Sequence, residues 1–356
     1  MELFHANRQW ATRPEDEKFK SIEELYNATK AYYTSAREKV IPLKSLSTVS
    51  LNEEVGIVSS ANIPATFTHW AFGQVCSRIG APANYLRSLP SDLAVKNLNH
   101  GLDSYGEDSN KDVNLLFHQN GNLVLRSFTS ERYARIWNYE VAERLLNLNT
   151  FGWKPATPDW NKQTENDTAL YASDHDMFAF LMNDSYTISE PGNPDGLKRG
   201  TIVYNSEVGA SSLGFLHFLY RGMCGNHIIW GASKVLELKV RHIGDARRRW
   251  QGCHEQLQAY LESGSQEQEK KIVAAQSVHI GYDKDTVLDK LFKSNLGLTR
   301  KALEAAYDSV VPEQDGNANT VWGMVQGLTR YSQRTPYADE RTGIDKAAGK
   351  LMEANF

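Results

Sequence analysis

A chain of 356 residues with a formal net charge of −4 is long enough to bury a sizeable core, and too nearly neutral to draw nucleic acid or acidic membranes by its overall field. Any polyanion site must therefore be a local basic patch. Three cysteines, none in a CxxC pair, fit a reducing cytoplasm, and no apolar run approaches the ~18 residues of a membrane helix, so a soluble cytoplasmic protein is expected.

Residues 1–20 are polar and irregular. Ser21 and Glu24 form a capping box that predicts a helix to about Val40, with Ile22, Leu25, Tyr32 and Ala36 on one side and Pro42 as its stop. Short strands are expected near Ser47–Leu51 and Val55–Ser59, a helix over Thr66–Ile79, and a further helix from Ser91 to about His100. VNLLFHQNGNLVLRSF carries an Asn120-Gly121 turn signal between apolar runs. A two-residue loop there sets Phe117 opposite Val124, Leu115 opposite Arg126 and Val113 opposite Phe128. Arg126 then sits among apolar neighbours and needs an acceptor or water. Asn138 is expected to cap a helix through Leu148.

LYASDHDMFAFLMND reads as strand, turn and strand, SEPGNPDGLKRG as a loop, and TIVYN as a strand. Ser211 or Ser212 is then expected to cap a helix with Leu213, Leu216, Tyr220 and Cys224 as its buried stripe. HIIWG is another strand. From Lys234 onward Leu236, Leu238 and Val240 point one way and Glu237, Lys239 and Arg241 the other. Beyond Asp245 helical patterns dominate, at about Asp245–Glu262, Gln266–Ser277, Asp283–Ser294, Thr299–Val310, Ala318–Tyr331 and Thr342–Ala354. The expected class is α+β: an antiparallel, hairpin-containing sheet packed with helices, then an all-helical C-terminal third. The expected divisions are an arm and helix over residues 1–44, a mixed core over 45–244 and a helical region over 245–356.

No Walker loop, GxGxxG, HExxH or GxSxG occurs. No cofactor, metal or catalytic residue is assigned, and the balance favours a binding protein over an enzyme. Asp174-His175-Asp176 could supply metal ligands, against the competing reading of a solvated turn. Cys224 and His227 with Cys253 and His254 could make a zinc site but lack knuckle spacing. Glu207 reads as a buried acid pairing with Arg221 or Arg241. The basic and aromatic set carries more weight. Arg126, Arg132, Tyr133, Arg135 and Trp137 follow the hairpin; Arg221, Lys234, Lys239, Arg241 and His242 come from the 205–242 stretch; Arg247 and Arg248 open the helical region. Arginine forks match phosphates and aromatic faces stack bases, so these twelve are the candidate nucleic-acid-binding residues. Phosphates are expected on Arg126, Arg132, Arg135, Lys239 and Arg241, and bases on Tyr133 or Trp137.

NSEVGASSLGFLHFLYRGMCGNHIIWG followed by KVRHIGDA resembles the phage/plasmid-like proteins grouped as the domain-of-unknown-function 932 family. WAFGQVCSRIGAPANYLRSLP, LVLRSFTSERYARIWNYEVAERLL and AAGKLM are similar to other segments of that family, so the resemblance spans roughly residues 45 to 355. It implies a phage or plasmid context and brings no mechanism. In element order, NLVLRSFTSERYARIWNYEVAERLLNLNTFGW is also similar to ring-forming single-strand annealing proteins of the Rad recombination-mediator type. The leading expectation is a mobile-element protein that binds single-stranded DNA as a homo-oligomer, in a ring by that analogy, and promotes annealing or recombination. A protein-binding inhibitor of a host defence or replication factor is the first alternative. A metal-dependent nuclease using Asp174, Asp176 and Glu207 is the second.

Overall fold

The computed structural model describes residues 15–58, 63–104, 111–156, 169–190, 192–221, 226–228, 238–249, 253–262, 265–334 and 338–354. It opens with strand β1 (Lys18–Phe19) and helix α1 (Ile22–Ser35), then β2 (Ala36–Pro42), β3 (Ser47–Leu51), β4 (Glu54–Val58) and β5 (Ala65–Phe67). Helices α2 (His69–Arg78), α3 (Ala83–Ser88) and α4 (Ser91–Ser104) precede the hairpin of β6 (Asp112–Asn120) and β7 (Asn122–Ser130). Ser21 Oγ accepts the Glu24 amide at 3.1 Å, so α1 starts where its cap lies. It ends at Ser35 rather than near Val40, because the next seven residues leave as β2 and pair along β6, from Ala36 opposite His118 to Pro42 opposite Asp112. The expected Thr66–Ile79 helix likewise starts late. Ala65–Phe67 is a strand, and Thr68 Oγ1 caps α2 by accepting the Ala71 amide. The strands order as β2-β6-β7-β5-β4-β3, and Val75, Leu98 and Leu102 of the helices pack on Leu115, Leu125 and Phe128 of this sheet.

The hairpin differs from its expected register. It turns on Gly121 at φ +77°, a conformation that glycine adopts without a Cβ clash, so Asn120 faces Asn122 and Phe117 faces Leu125. An irregularity after Leu116 shifts the pairing again: Leu116 faces Ser127 and Leu115 faces Phe128. Arg126 is the extra residue between those pairs. A bulge of this kind re-aims the side chain it carries, here into the interior, where Arg126 is 2% exposed.

After β7 come α5 (Asn138–Asn149), β8 (Trp153–Pro155) and β9 (Leu170–Ala172), then the long strands β10 (Met177–Glu190), β11 (Asn193–Asn205) and β12 (Leu213–Arg221), with β13 (Asn226–Ile228) and β14 (Leu238–Val240). They form a second sheet in the order β1-β9-β10-β11-β12-β13, with β8 on β10 and β14 on β12. Two expectations are corrected here. SEPGNPDGLKRG is not a loop, since β10 and β11 run through it as a hairpin that brings Glu190 opposite Asn193. The segment expected as a helix from Leu213 is β12, paired with β11 from Tyr204–Gly214 to Lys198–Tyr220. Burial on both faces explains the misreading. Leu213 and Phe215 enter one core with Met177, Ala179 and Val203, while Leu216 and Phe218 enter another with Phe178, Phe180 and Ile202. A strand covered on both sides is apolar at nearly every position, so its alternation is lost and its spacing mimics a helix.

The remaining helices are α6 (Ala246–Arg249), α7 (Cys253–Glu262), α8 (Ser265–Ser277), α9 (Lys284–Lys293), α10 (Arg300–Tyr307), α11 (Pro312–Asp315), α12 (Val321–Arg334) and α13 (Ala338–Leu351). Leu291, Leu303, Val325, Leu328 and Leu351 share one core with Ile188, Leu197 and Leu219 of the large sheet, so the helical third is docked on that sheet. At the other end, Ile22 and Leu25 of α1 pack with Val141 and Leu145 of α5. The class is α+β. Among the described residues no helix is long and apolar enough to cross a membrane.

Candidate functional site

Two of the predicted phosphate ligands point inward. Arg126 Nη1 donates to Glu207 Oε2 at 3.0 Å, and its Nε donates to the Asp174 carbonyl at 3.2 Å. Arg135 is 5% exposed; its Nε and Nη2 donate to Glu38 Oε1 at 3.2 and 3.1 Å, and its Nη1 donates to the Glu207 carbonyl. Glu207 is thus the expected buried acid, but its partner is Arg126 rather than Arg221 or Arg241. Its other oxygen accepts the Asn138 amide at 2.8 Å, at the first turn of α5, where the helix dipole favours a carboxylate. Asn138 is therefore not the cap it was expected to be; its Oδ1 instead accepts from Asn205 Nδ2 at 2.8 Å. This network joins both sheets to α5. The expected phosphate contacts at Arg126 and Arg135 are corrected on that ground, because guanidiniums so enclosed cannot reach a strand outside.

Five other predicted residues do come together. Arg132, Tyr133, Lys239, Arg241 and His242 line one open cleft of about 470 Å³, with Ser130, Tyr204, Ile243 and the loop 209–212. Two stretches more than a hundred residues apart meet here because the Ala134 amide donates to the His242 carbonyl at 2.9 Å and Tyr133 bridges to Ile243. Arg132, Lys239 and Arg241 are exposed. β14 and the residue that follows it deliver the last two as expected: Val240 is buried at 3% while Lys239 and Arg241 are exposed. None of the described lining residues is acidic.

His242 is not a fourth cation. It is 5% exposed, its Nδ1 accepts the Ile136 amide at 3.3 Å, and burial, helped by the nearby Arg135 charge, pushes its pKa down to about 4. Tyr133 donates its hydroxyl to the Ser206 carbonyl at 2.9 Å, and burial raises its pKa. Its ring stacks on His242 with centroids 5.0 Å apart and planes 11° apart. Trp137 is 7% exposed, with the Arg135 guanidinium 5.5 Å from its ring and Tyr33 edge-on at 4.8 Å. The expected stacking of bases on Trp137 is corrected by that burial.

Of the remaining predicted residues, Arg221 ends β12 and Arg247 lies in α6, with side chains outside the description, and Lys234 lies outside the described residues. Arg248 is exposed in α6, where its amide donates to Asp245 Oδ1 at 3.2 Å, an acid placed to offset the arginines of that short helix. Asp174-His175-Asp176 is the turn between β9 and β10, closed by Ser173 Oγ donating to Asp176 Oδ1 at 2.8 Å, and Asp176 is fully buried. Among the described residues no group of three histidine, cysteine or acidic side chains is placed to hold a metal ion. Cys224 and the side chains of His227, Cys253 and His254 lie outside the description. Sequence reasoning missed Glu38 and the 209–212 wall of the cleft. Glu38 lies 97 residues from Arg135, a pairing with no local signal.

No curated protein and no solved structure matches the chain. A family model matches residues 126–352, more than half of the chain and all of the segment that builds the cleft. The chain belongs to the family described as Domain of unknown function (DUF932).

Proposed function

We propose that the protein binds single-stranded DNA and holds strands for annealing, serving a phage or plasmid in the cytoplasm as a homo-oligomer. The observation that supports this reading is the convergence of Arg132, Lys239 and Arg241 on one open cleft with no acidic residue in its described lining. Guanidinium and ammonium groups gathered this way attract phosphates, and on a chain of net charge −4 such a patch is a local field, not an overall one. Annealing needs no nucleotide hydrolysis, because base pairing supplies the free energy. The mobile-element context comes from the resemblance of the central segment to phage/plasmid-like proteins. Weak single clefts gain affinity when several copies engage one strand, which is the physical reason for an oligomer.

A labelled single-stranded oligonucleotide titrated at several salt concentrations tests the reading. Affinity should fall as salt rises and drop at least tenfold in the Arg132→Ala, Lys239→Ala, Arg241→Ala triple variant. Salt-indifferent affinity, or a triple variant that binds as the parent does, overturns it.

A further inference from the structure

We infer that strand β2 is a docking edge for an extended peptide segment of a partner protein, one in which acidic and aliphatic side chains alternate. The inference goes beyond the nucleic-acid reading and does not depend on it.

Among the described strands β2 ends the order of its sheet, with β6 paired along one side. Arg37, Glu38, Lys39 and Val40 are all exposed, Val40 at 52%. A strand that ends a sheet presents backbone N–H and C=O groups along its outer side, and an extended peptide can add there as a further strand.

The two faces of β2 differ in charge, which selects the side chains of that peptide. Arg37 and Lys39 lie on the face of Phe117 and Leu115, their partners on β6. Arg37 Nη1 donates to the Thr34 and Ala36 carbonyls at 3.1 and 2.8 Å, neutral acceptors that steady the guanidinium at the edge and leave its charge in place. Glu38 and Val40 lie on the other face and line a cleft of about 460 Å³ with Ala134, Trp137, Asp245 and Ala246. Cross-strand neighbours on one face attract when oppositely charged and repel when alike. An incoming strand is therefore favoured with Asp or Glu toward Arg37 and Lys39. Toward Val40 and the cleft it is favoured with aliphatic residues, because Glu38 and Asp245 repel acids there.

A second copy of the chain is a poor occupant. Antiparallel pairing of two copies over the whole of Ala36–Pro42 sets Lys39 opposite Lys39, and like charges directly opposite destabilise a sheet. The fitting segment belongs to another protein.

The test uses the full chain and labelled peptides of about nine residues, the length of a long strand. One alternates Glu with Val and one alternates Lys with Val; two further forms of the first are each N-methylated at one alternate set of amides. The Glu–Val peptide should bind about tenfold more tightly than the Lys–Val peptide. The Arg37→Glu, Lys39→Glu double variant should reverse that order. One methylated form should bind as the unmethylated peptide does and the other should fail, because only one set of amides can face β2. Equal binding of the two sequences, an order unchanged in the double variant, or methylated forms that bind alike overturns the inference. So does a dimer in sedimentation that Lys39→Glu disperses, since the edge would then hold a second copy.

Discussion

Arg126 and Glu207, 81 residues apart in the chain, form an ion pair at 3.0 Å with side chains 3% and 2% exposed. Arg126 arrives there through a bulge in β7, and Glu207 through the loop that follows β11. Removing one member of such a pair strands the other charge in the interior, which costs about 3–5 kcal/mol. Glu207→Gln should therefore lower the free energy of unfolding in urea by about 3 kcal/mol or more. Replacing both members, as Arg126→Met with Glu207→Leu, should cost less than the sum of the single changes. An unchanged urea midpoint in Glu207→Gln would show that the pair does not hold the two sheets together.

Acid should destabilise the fold through two buried histidines. His217 lies 5% exposed, stacked on Tyr260 with centroids 3.9 Å apart. Burial first, and the Arg199 charge second, push its pKa down to about 4, and His242 is lowered to about 4 by its own burial. A histidine with a depressed folded-state pKa is protonated in the unfolded chain before the folded one. Its contribution is thus fully present above about pH 6.5 and lost as pH falls towards 4, on the order of 3 kcal/mol per histidine. Unfolding free energies measured at pH 7.5, 6 and 4.5 should fall in that order. The decline should be shallower in His217→Phe, which keeps an aromatic ring against Tyr260; a variant as acid-sensitive as the parent would remove His217 from the account.

Two glycines of the large sheet are matched to aromatic rings on neighbouring strands. Gly214 faces Tyr204 and Gly200 faces Phe218, and a Cβ on either would lie 2.2 Å or 2.3 Å from the opposing ring. Gly214→Ala and Gly200→Ala should each destabilise by about 1–3 kcal/mol through overpacking. Gly200→Ala combined with Phe218→Leu should recover part of the loss. Equal stability of Gly200→Ala and the parent in thermal melts would mean that the ring moves aside freely.

Stability and binding should separate cleanly among the arginines. Arg132→Ala and Arg241→Ala change exposed side chains and should alter unfolding free energy by less than about 1 kcal/mol. Each should reduce the salt slope for a single strand by about 0.7. Arg135→Ala should do the reverse, leaving the Glu207 carbonyl without its arginine donor and Glu38 with Asn114 but no counter-charge, and destabilising the fold by more than about 2 kcal/mol. A loss of DNA affinity in folded Arg135→Ala equal to that in Arg132→Ala would contradict the inward placement of Arg135.

Much of the order was readable from residues close together in the chain. Ser21, Asp283 and Thr299 each open a helix through a side-chain bond to an amide three residues on, at 3.1, 2.8 and 3.2 Å, and a bond of that span leaves its mark in the sequence. The location of the hairpin turn at Gly121, though not its two-residue form, the outward row of Lys239 and Arg241 and the helical C-terminal third were legible for the same reason: turn chemistry and strand alternation are local.

Distance along the chain hid the rest. β2 read as the tail of a helix because its partner β6 lies seventy or more residues away. β12 read as a helix because cores on both its faces demand apolar residues at nearly every position. A basic residue looks alike in sequence whether it meets solvent or a carboxylate: the hairpin pattern marked Arg126 as needing an acceptor without naming one, and nothing separated Arg132 from Arg135. Folding told them apart by bringing Glu207 and Glu38 to two of them and open water to the third. Composition and local patterning determined which elements this protein builds; only long-range packing decided which of its charges remain outside to meet a ligand, because exposure belongs to the assembled surface and not to any one stretch of chain.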